Sequence, residues 1–230
     1  IDAAEASVRG PSGEPHGTLR MTVPEAFGRH VVLPVVQRFL ETWPEVRVDI
    51  DVTDRAANLV EEGFDLAFRL GDRVRADPGL ISRIIARYPV GLVAAPDYLR
   101  VRNKPQTPED LLHHETLLFR GRGGVQPWRY RDGGTRWVRL PVRGRLQMSS
   151  GTALRDAAVA GLGVAFLPSF VVKDDVAAGR LARVLPDLDL GEAVIAALYP
   201  SRRLLPPRVR RFIDLVFETT SDAPTNPRSS

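Results

Sequence analysis

GTLRMTVPEAFGRHVVLPVVQRFLETWPEVRVDIDVTDRAANLVEEGFDLAFR, from Gly17 to Arg69, holds the pattern that decides the fold. Leu19, Met21 and Val23 are apolar at alternate positions, the period of a strand. Val32, Val35, Val36, Phe39, Leu40 and Trp43 then fall at helical spacing and share one helix face. Val46, Val48, Ile50 and Val52 alternate again, now with Arg47, Asp49 and Asp51. Asp54 is the residue type that opens a helix and Gly63 the type that closes one, which predicts a second short helix. Phe64 to Leu70 returns to strand. This order implies a parallel sheet covered by helices, because parallel neighbours need connections of helical length. Such sheets take ligands at the carboxyl ends of their strands.

Outward from this block the pattern repeats. Leu80 to Ile85 and Val90 to Ala95 read as two further strands, the second apolar throughout as if buried on both faces. Pro96-Asp97 starts a short helical piece, and Thr107-Pro108-Glu109-Asp110 has the layout of a capped helix start. Leu117 to Phe119 is a short strand, and Gly133-Gly134 turns between strands around Trp128 and Trp137. Val142 to Met148 is a strand, after which Ser149-Ser150 caps a helix through Val159. Val164 to Leu167 is a buried strand, and Ser169 caps the helix that follows it. Leu181 to Leu185 and Ala193 to Tyr199 are strands, and Pro206-Pro207 opens the last helix. The expected fold is therefore α/β, with two Rossmann-like subdomains joined by crossover strands and a ligand cleft between them. Residues 17–94 plus 198–220 form the first subdomain in this reading and 95–197 the second. Residues 1–16 read as the end of a linker helix and a Gly-Pro connector, and 221–230 as a disordered polar tail.

Composition limits the function classes. With 43% apolar and 26% charged residues, the chain has the make-up of an ordinary globular protein. It has no run of apolar residues long enough to span a bilayer and no secretory signal layout, so no membrane partner is expected. Cysteine is absent, which excludes disulfides, thiolate metal sites and cysteine nucleophiles. A net charge of +4 and a pI near 9.9 invite a nucleic-acid reading. The arginines are scattered beside acids, however, with local clusters at Arg136 to Arg145 and Arg202 to Arg211, and they read as a solvated surface. The histidines, His16, His30, His113 and His114, show no metal-ligand spacing with acids. There is no G-x-S-x-G, no P-loop, and no G-x-G-x-x-G between a strand and a helix. No cofactor, metal or catalytic set is expected, and the chain reads as a non-enzyme.

Several segments resemble the effector-binding domain of LysR-type transcriptional regulators. They are Gly17 to Pro24, Leu33-Pro34, Phe39 to Val46, Leu59 to Gly71, Ala95 to Leu99, Thr107 to Leu111 and Ala160 to Pro168. Phe27-Gly28-Arg29 and the wording EEGFDLAFRLG resemble the CrgA-like subgroup. The resemblance implies a type 2 periplasmic-binding-protein-like fold, a small-molecule effector in the cleft, and a cytoplasmic bacterial regulator acting as homodimer or homotetramer. It also implies that the helix around Val31 to Thr42 packs on a partner subunit. DNA would be bound through an N-terminal winged helix-turn-helix absent from this sequence. An extracytoplasmic solute-binding protein shares the architecture and is the alternative; an enzyme on the same fold would need an acid/base set that these residues do not assemble.

The strand ends supply the candidate ligand residues. In the first subdomain they are Pro24, Glu25, Ala26, Thr53, Asp54, Arg69, Leu70 and Gly71. In the second they are Phe119, Ser149, Ser150, Gly151, Phe166 and Pro168. Helix starts near Ala26, Asp54 and Ser150 would offer N–H groups to an anion, so a carboxylate or aromatic acid is the simplest effector. Ser149 and Ser150 are either hydroxyl donors to ligand or helix caps. Asp54 reads more readily as a cap, and Arg69 either pairs a carboxylate or bridges to Glu25 or Asp54. Phe119 and Phe166 form an apolar wall or belong to the core. Glu25 counts against a purely anionic ligand.

Overall fold

A computed structural model describes residues 13–54, 58–71, 79–121, 123–133, 135–201 and 205–221. The expected helix end at Ile1 to Val8, the tail from Asp222 and the start of the second arginine cluster at Arg202 lie outside the described residues. The chain divides into two units, one from residues 1–86 and 194–230, the other from 87–193. The division falls inside two long strands.

The first unit opens with β1 (Gly17–Val23). A continuous helix follows, made of α1 (Glu25–Phe27), a π-helical segment Gly28–Val32 and α2 (Leu33–Thr42). Gly28 is required here, since a Cβ would stand 2.7 Å from Val23 Cγ2. β2 (Val46–Val52) and β3 (Leu66–Leu70) both run parallel to β1, which lies between them. The first turn of the helix expected to open at Asp54 lies outside the described residues, and 59–63 form turns. β4 (Leu80–Ala94) is one fifteen-residue strand that leaves the unit, where two strands, Leu80 to Ile85 and Val90 to Ala95, were expected.

The second unit continues with α3 (Pro96–Arg102) and a 3-10 turn, Glu109–His113. The expected cap is present: Thr107 Oγ accepts from Asp110 N–H, and the Asp110 carboxylate accepts from the N–H groups of Gln106 and Thr107. β5 (Thr116–Gly121) precedes the short β6 (Gly124–Val125). β7 (Trp128–Asp132) and β8 (Arg136–Leu140) form a two-stranded ribbon. β9 (Leu146–Met148), α4 (Gly151–Val159), β10 (Val164–Pro168), α5 (Ser169–Ala177) and β11 (Ala182–Val184) complete it. β9 and β10 flank β5 in parallel, while β10 and β11 pair antiparallel with β4. The strand expected from Val142 begins only at Leu146, and Gly144 before it packs so tightly on the Thr116 carbonyl that no side chain fits.

β12 (Glu192–Pro200) returns the chain to the first unit, pairing antiparallel with β3, and α6 (Pro207–Ser221) packs on α2 and β1. The first unit's core is an aromatic run: Phe27 on Phe68 at 5.4 Å and Phe39 edge-on to Phe212 at 5.1 Å. All four rings are fully buried, and each such ring stabilises by about 1.5–3 kcal/mol. In the second unit Trp128 stacks on Phe166 at 5.7 Å within a core that includes Leu92, Leu111 and Leu140. Its helices α4 and α5 are tied by Asp175, only 1% exposed, which accepts from Arg155 Nη2 at 2.8 Å and Arg180 Nε at 2.6 Å.

Candidate functional site

Parallel pairing of β1, β2 and β3 brings their carboxyl ends to one end of the first unit's sheet. Val23 stands opposite Val52, and Thr53 N–H donates to the Val23 carbonyl at 2.9 Å. The chain leaves β1 through Pro24, extended at ψ 141, and turns into the helix at Glu25 and Ala26. Gly71 N–H donates to the Val194 carbonyl at 3.0 Å, so the exit from β3 is held by β12. Pro24, Glu25, Ala26, Thr53, Asp54, Arg69, Leu70 and Gly71 thus all sit at or just past three adjoining strand ends.

The charges at this end explain its chemistry. Asp54 does not open a helix of its own among the described residues; its carboxylate accepts the N–H of Glu25 instead. The helix start near Ala26 was expected to offer free N–H groups to an anion. The Glu25 N–H of that helix start is taken by Asp54. Partial loss of solvent raises the Asp54 carboxyl above its ordinary value, the Glu25 N–H and Arg69 pull it down, and the Glu25 charge raises it further. Arg69 donates through Nη1 to the Phe68 carbonyl at 2.9 Å, and its charge acts on Asp54. Two acids and one guanidinium therefore share this end. A group able to donate hydrogen bonds suits it better than a bare anion.

In the second unit the ends of β5, β9 and β10 are likewise parallel neighbours. Ser150 is the N-cap of α4, its Oγ accepting from Ala153 N–H at 3.0 Å. Ser149 is exposed beside it, and Gly151 is the first residue of the helix. Pro168 stands in the capping position of α5, and Ser169, expected to cap that helix, does not. Phe119 and Phe166 do not form one wall. Val164 pairs with Thr116 and Ala165 with Leu117, so Phe166 shares a sheet face with Leu118 and lies opposite to Phe119. Phe166 belongs to the core with Trp128, whereas Phe119 is half-buried on the other face.

Two residues escaped the sequence reading. Thr22, fully buried one residue before the end of β1, and Thr152, in the first turn of α4, have hydroxyl oxygens without a protein partner among the described residues. Thr22 was signalled by a polar residue set one place from the end of an apolar strand. Thr152 was masked by the stronger pair Ser149-Ser150. Elsewhere Tyr98 Oη lies 3.1 Å from His114 Nδ1 and accepts from Glu115 N–H, and burial holds the His114 imidazole below its ordinary value. No group of three or more potential metal ligands stands together among the described residues.

A family model described as the LysR substrate binding domain matches residues 12–221. The chain belongs to that family. Among LysR-family relatives, an HTH-type transcriptional regulator of Haemophilus influenzae is 33% identical over 212 residues, covering 91% of this chain and 72% of the relative. The regulator PtxR of Pseudomonas aeruginosa is 34% identical over 218 residues, covering 95% and 69%. The structure of CrgA, a LysR-type transcriptional regulator from Neisseria meningitidis, matches with a TM-score of 0.81 at 27% identity, covering 90% of this chain and 70% of CrgA. The CrgA regulatory domain by itself matches with a TM-score of 0.80 at 28% identity and is covered in full. The likeness is thus to the regulatory part of LysR-type regulators, and it gives the transport alternative no support. Among the described residues no helix is long and apolar enough to cross a membrane.

Proposed function

We propose that this LysR-family domain senses a small-molecule effector for a cytoplasmic transcriptional regulator that binds DNA through a separate segment. The family match over residues 12–221 carries the reading. We infer further that the strand-end residues of each unit contact the effector. The pairing of Asp54 with Glu25 beside Arg69 supports an acid that also carries hydroxyl or amide donors. The absence of cysteine removes thiol oxidation as a switch within this sequence. An effector changes the regulator's output only through unequal affinity for two states. No catalytic role is assigned.

The domain also dimerises in this reading, through the outer face of α2. Leu33 and Leu40, seven residues apart on that helix, are 60% and 38% exposed, which supports a partner for that face. A thermal-shift screen of small hydroxylated and aromatic acids is expected to find a ligand that raises the melting temperature. Arg69→Ala and Ser150→Ala are expected to weaken that ligand about tenfold or more and to blunt the response of a promoter reporter driven by the full-length regulator. Full response in both variants would overturn the assignment of the site.

A further inference from the structure

The surplus positive charge of the chain is concentrated in one stretch. Between Arg120 and Arg145 stand eight arginines and a single acid, Asp132, giving +7. The remainder, with 24 of the 32 basic and 27 of the 28 acidic residues, carries −3. The β7–β8 register sorts part of this charge onto one face. Arg129 stands opposite Arg139 and Arg131 opposite Trp137, so these four side chains share a face, while Trp128, Tyr130, Val138 and Leu140 share the other. Trp128 and Leu140 are core residues, so the arginine face is turned away from the core. Trp137 is 38% exposed there, with the guanidiniums of Arg129 and Arg131 over its ring at 4.6 and 4.9 Å. Gly191 packs against the edge of that ring, where a Cβ would stand 2.7 Å from Trp137 Cη2.

An aromatic ring holds a guanidinium in place without cancelling its charge, whereas a carboxylate cancels it. Carboxylates take up Arg20 through Asp49 and Arg83 through Asp214 in the first unit. In this stretch Arg136 pairs with Asp132, Arg145 pairs with Glu115, and Arg129 is engaged further. Arg131, Arg139 and Arg143 are exposed and have no ion pair among the described residues. The loop beside β7 brings Asp187 and Asp189, the Asp189 carbonyl accepting the Arg131 N–H at 2.8 Å. With both of these acids counted the stretch still stands at +5. We propose that the outer face of the β7–β8 ribbon binds the phosphate backbone of duplex DNA, a sequence-independent contact added to that of the separate DNA-binding segment. The choice of duplex DNA among polyanions rests on the reading of this chain as part of a DNA-binding regulator. The planar fork of arginine meets two phosphate oxygens at once. Phosphate contacts position a protein on DNA without reading its sequence. An anionic membrane calls for apolar side chains ready to insert, whereas Trp137, the one large apolar side chain on this face, lies under two guanidiniums.

Fluorescence anisotropy of a short labelled duplex titrated with the 230-residue chain tests it. Three to four phosphate contacts predict an affinity that falls roughly 40- to 150-fold between about 50 and 200 mM salt. Arg131→Glu with Arg139→Glu is expected to weaken binding at least about tenfold at low salt and to flatten the salt slope by about two contacts. Arg131→Gln with Arg139→Gln, which removes the charges without reversing them, is expected to flatten the slope as much. Arg47→Glu with Arg210→Glu makes the same change of net charge on exposed arginines of the first unit. That pair is expected to weaken binding by less than about threefold. An equal loss in the two Glu pairs would show that net charge governs binding, and would overturn the proposal. Arg69→Ala and Ser150→Ala, the effector-site variants, are expected to keep the parent's duplex affinity, so that a failure of either assignment is read separately; a loss there as large as at the ribbon would overturn this one. No binding at about 50 mM salt, an affinity independent of salt, or unaffected ribbon variants would each overturn it. So would tighter binding to phosphatidylglycerol vesicles than to duplex, which would make the face a membrane surface.

Discussion

Asp54 and Asp175 are both partly or wholly withdrawn from water, and they have opposite fates. Burial pushes the Asp175 carboxyl up, but the hydrogen bonds and charges of Arg155 and Arg180 outweigh it and hold it below its ordinary value of 3.8. Every oxygen is used, both arginines point at it, and the group joins two helices of one unit. Asp54 lies past a strand end, next to a second acid, and its carboxyl is raised from the same 3.8. The first arrangement is complete in the protein alone. The second leaves the Asp54 carboxyl raised beside Glu25, and perturbed groups of that kind concentrate at functional sites. What separates a structural ion pair from a candidate site is therefore completeness, not burial.

The largest expected effect follows from the complete arrangement. Asp175→Asn leaves Arg155, only 24% exposed, facing an amide in place of its carboxylate. Breaking a buried pair by removing one partner costs about 3 kcal/mol. For a chain of this size that lowers the melting temperature by about 6–12 °C in calorimetry at pH 7. A loss below about 1 kcal/mol would show that Asp175 is no more structural than a surface ion pair.

The second prediction uses pH to set the two acids against each other. A depressed carboxyl such as Asp175 contributes stability above its unfolded value, and that contribution fades as pH falls through the folded value, below 3.8. A raised carboxyl such as Asp54 does the opposite: its penalty is present at neutral pH and is relieved as pH falls through its folded value towards 3.8. The destabilisation by Asp175→Asn is thus expected to hold from pH 7 to about 4 and to shrink only below the ordinary carboxyl range. Any stability gained by Asp54→Asn is expected to shrink already on descending to about pH 4. Melting temperatures of the two variants and the parent across that range check this. Parallel pH profiles would break the comparison.

The regular elements were legible because their signals are local. β1, β2 and α2 follow from the spacing of Leu19, Met21 and Val23, of Val46 to Val52, and of Val35, Val36 and Phe39. What was missed depends on partners distant in sequence. The Asp54 carboxylate accepts from the N–H of Glu25, twenty-nine positions earlier, a contact that nothing local marks. Two strands were expected from Leu80 to Ala95, yet β4 runs unbroken through Pro89, and the next donor, Val90 N–H, finds the Gly191 carbonyl at 3.0 Å. Phe119 and Phe166 looked like one wall because both follow apolar runs; only the parallel register separates their faces.

The smallest expected effect on stability is the most informative about the site. Asp54→Asn keeps the shape of the side chain and an oxygen that can accept the Glu25 N–H, while removing the charge that repels Glu25. If Asp54 were held for the sake of the fold, as Asp175 is, losing its charge would cost several times more than losing a surface acid. Incomplete pairing predicts the reverse: a melting temperature at pH 7 equal to or slightly above the parent's, measured alongside Asp175→Asn in the same buffer. The same substitution is expected to change the response of the full-length regulator to its effector, because the raised carboxyl is then absent where the ligand is proposed to sit. A variant that is unchanged in both stability and response would make Asp54 a bystander. One that unfolds would make it structural, and the strand ends of the first unit would lose their claim to the effector.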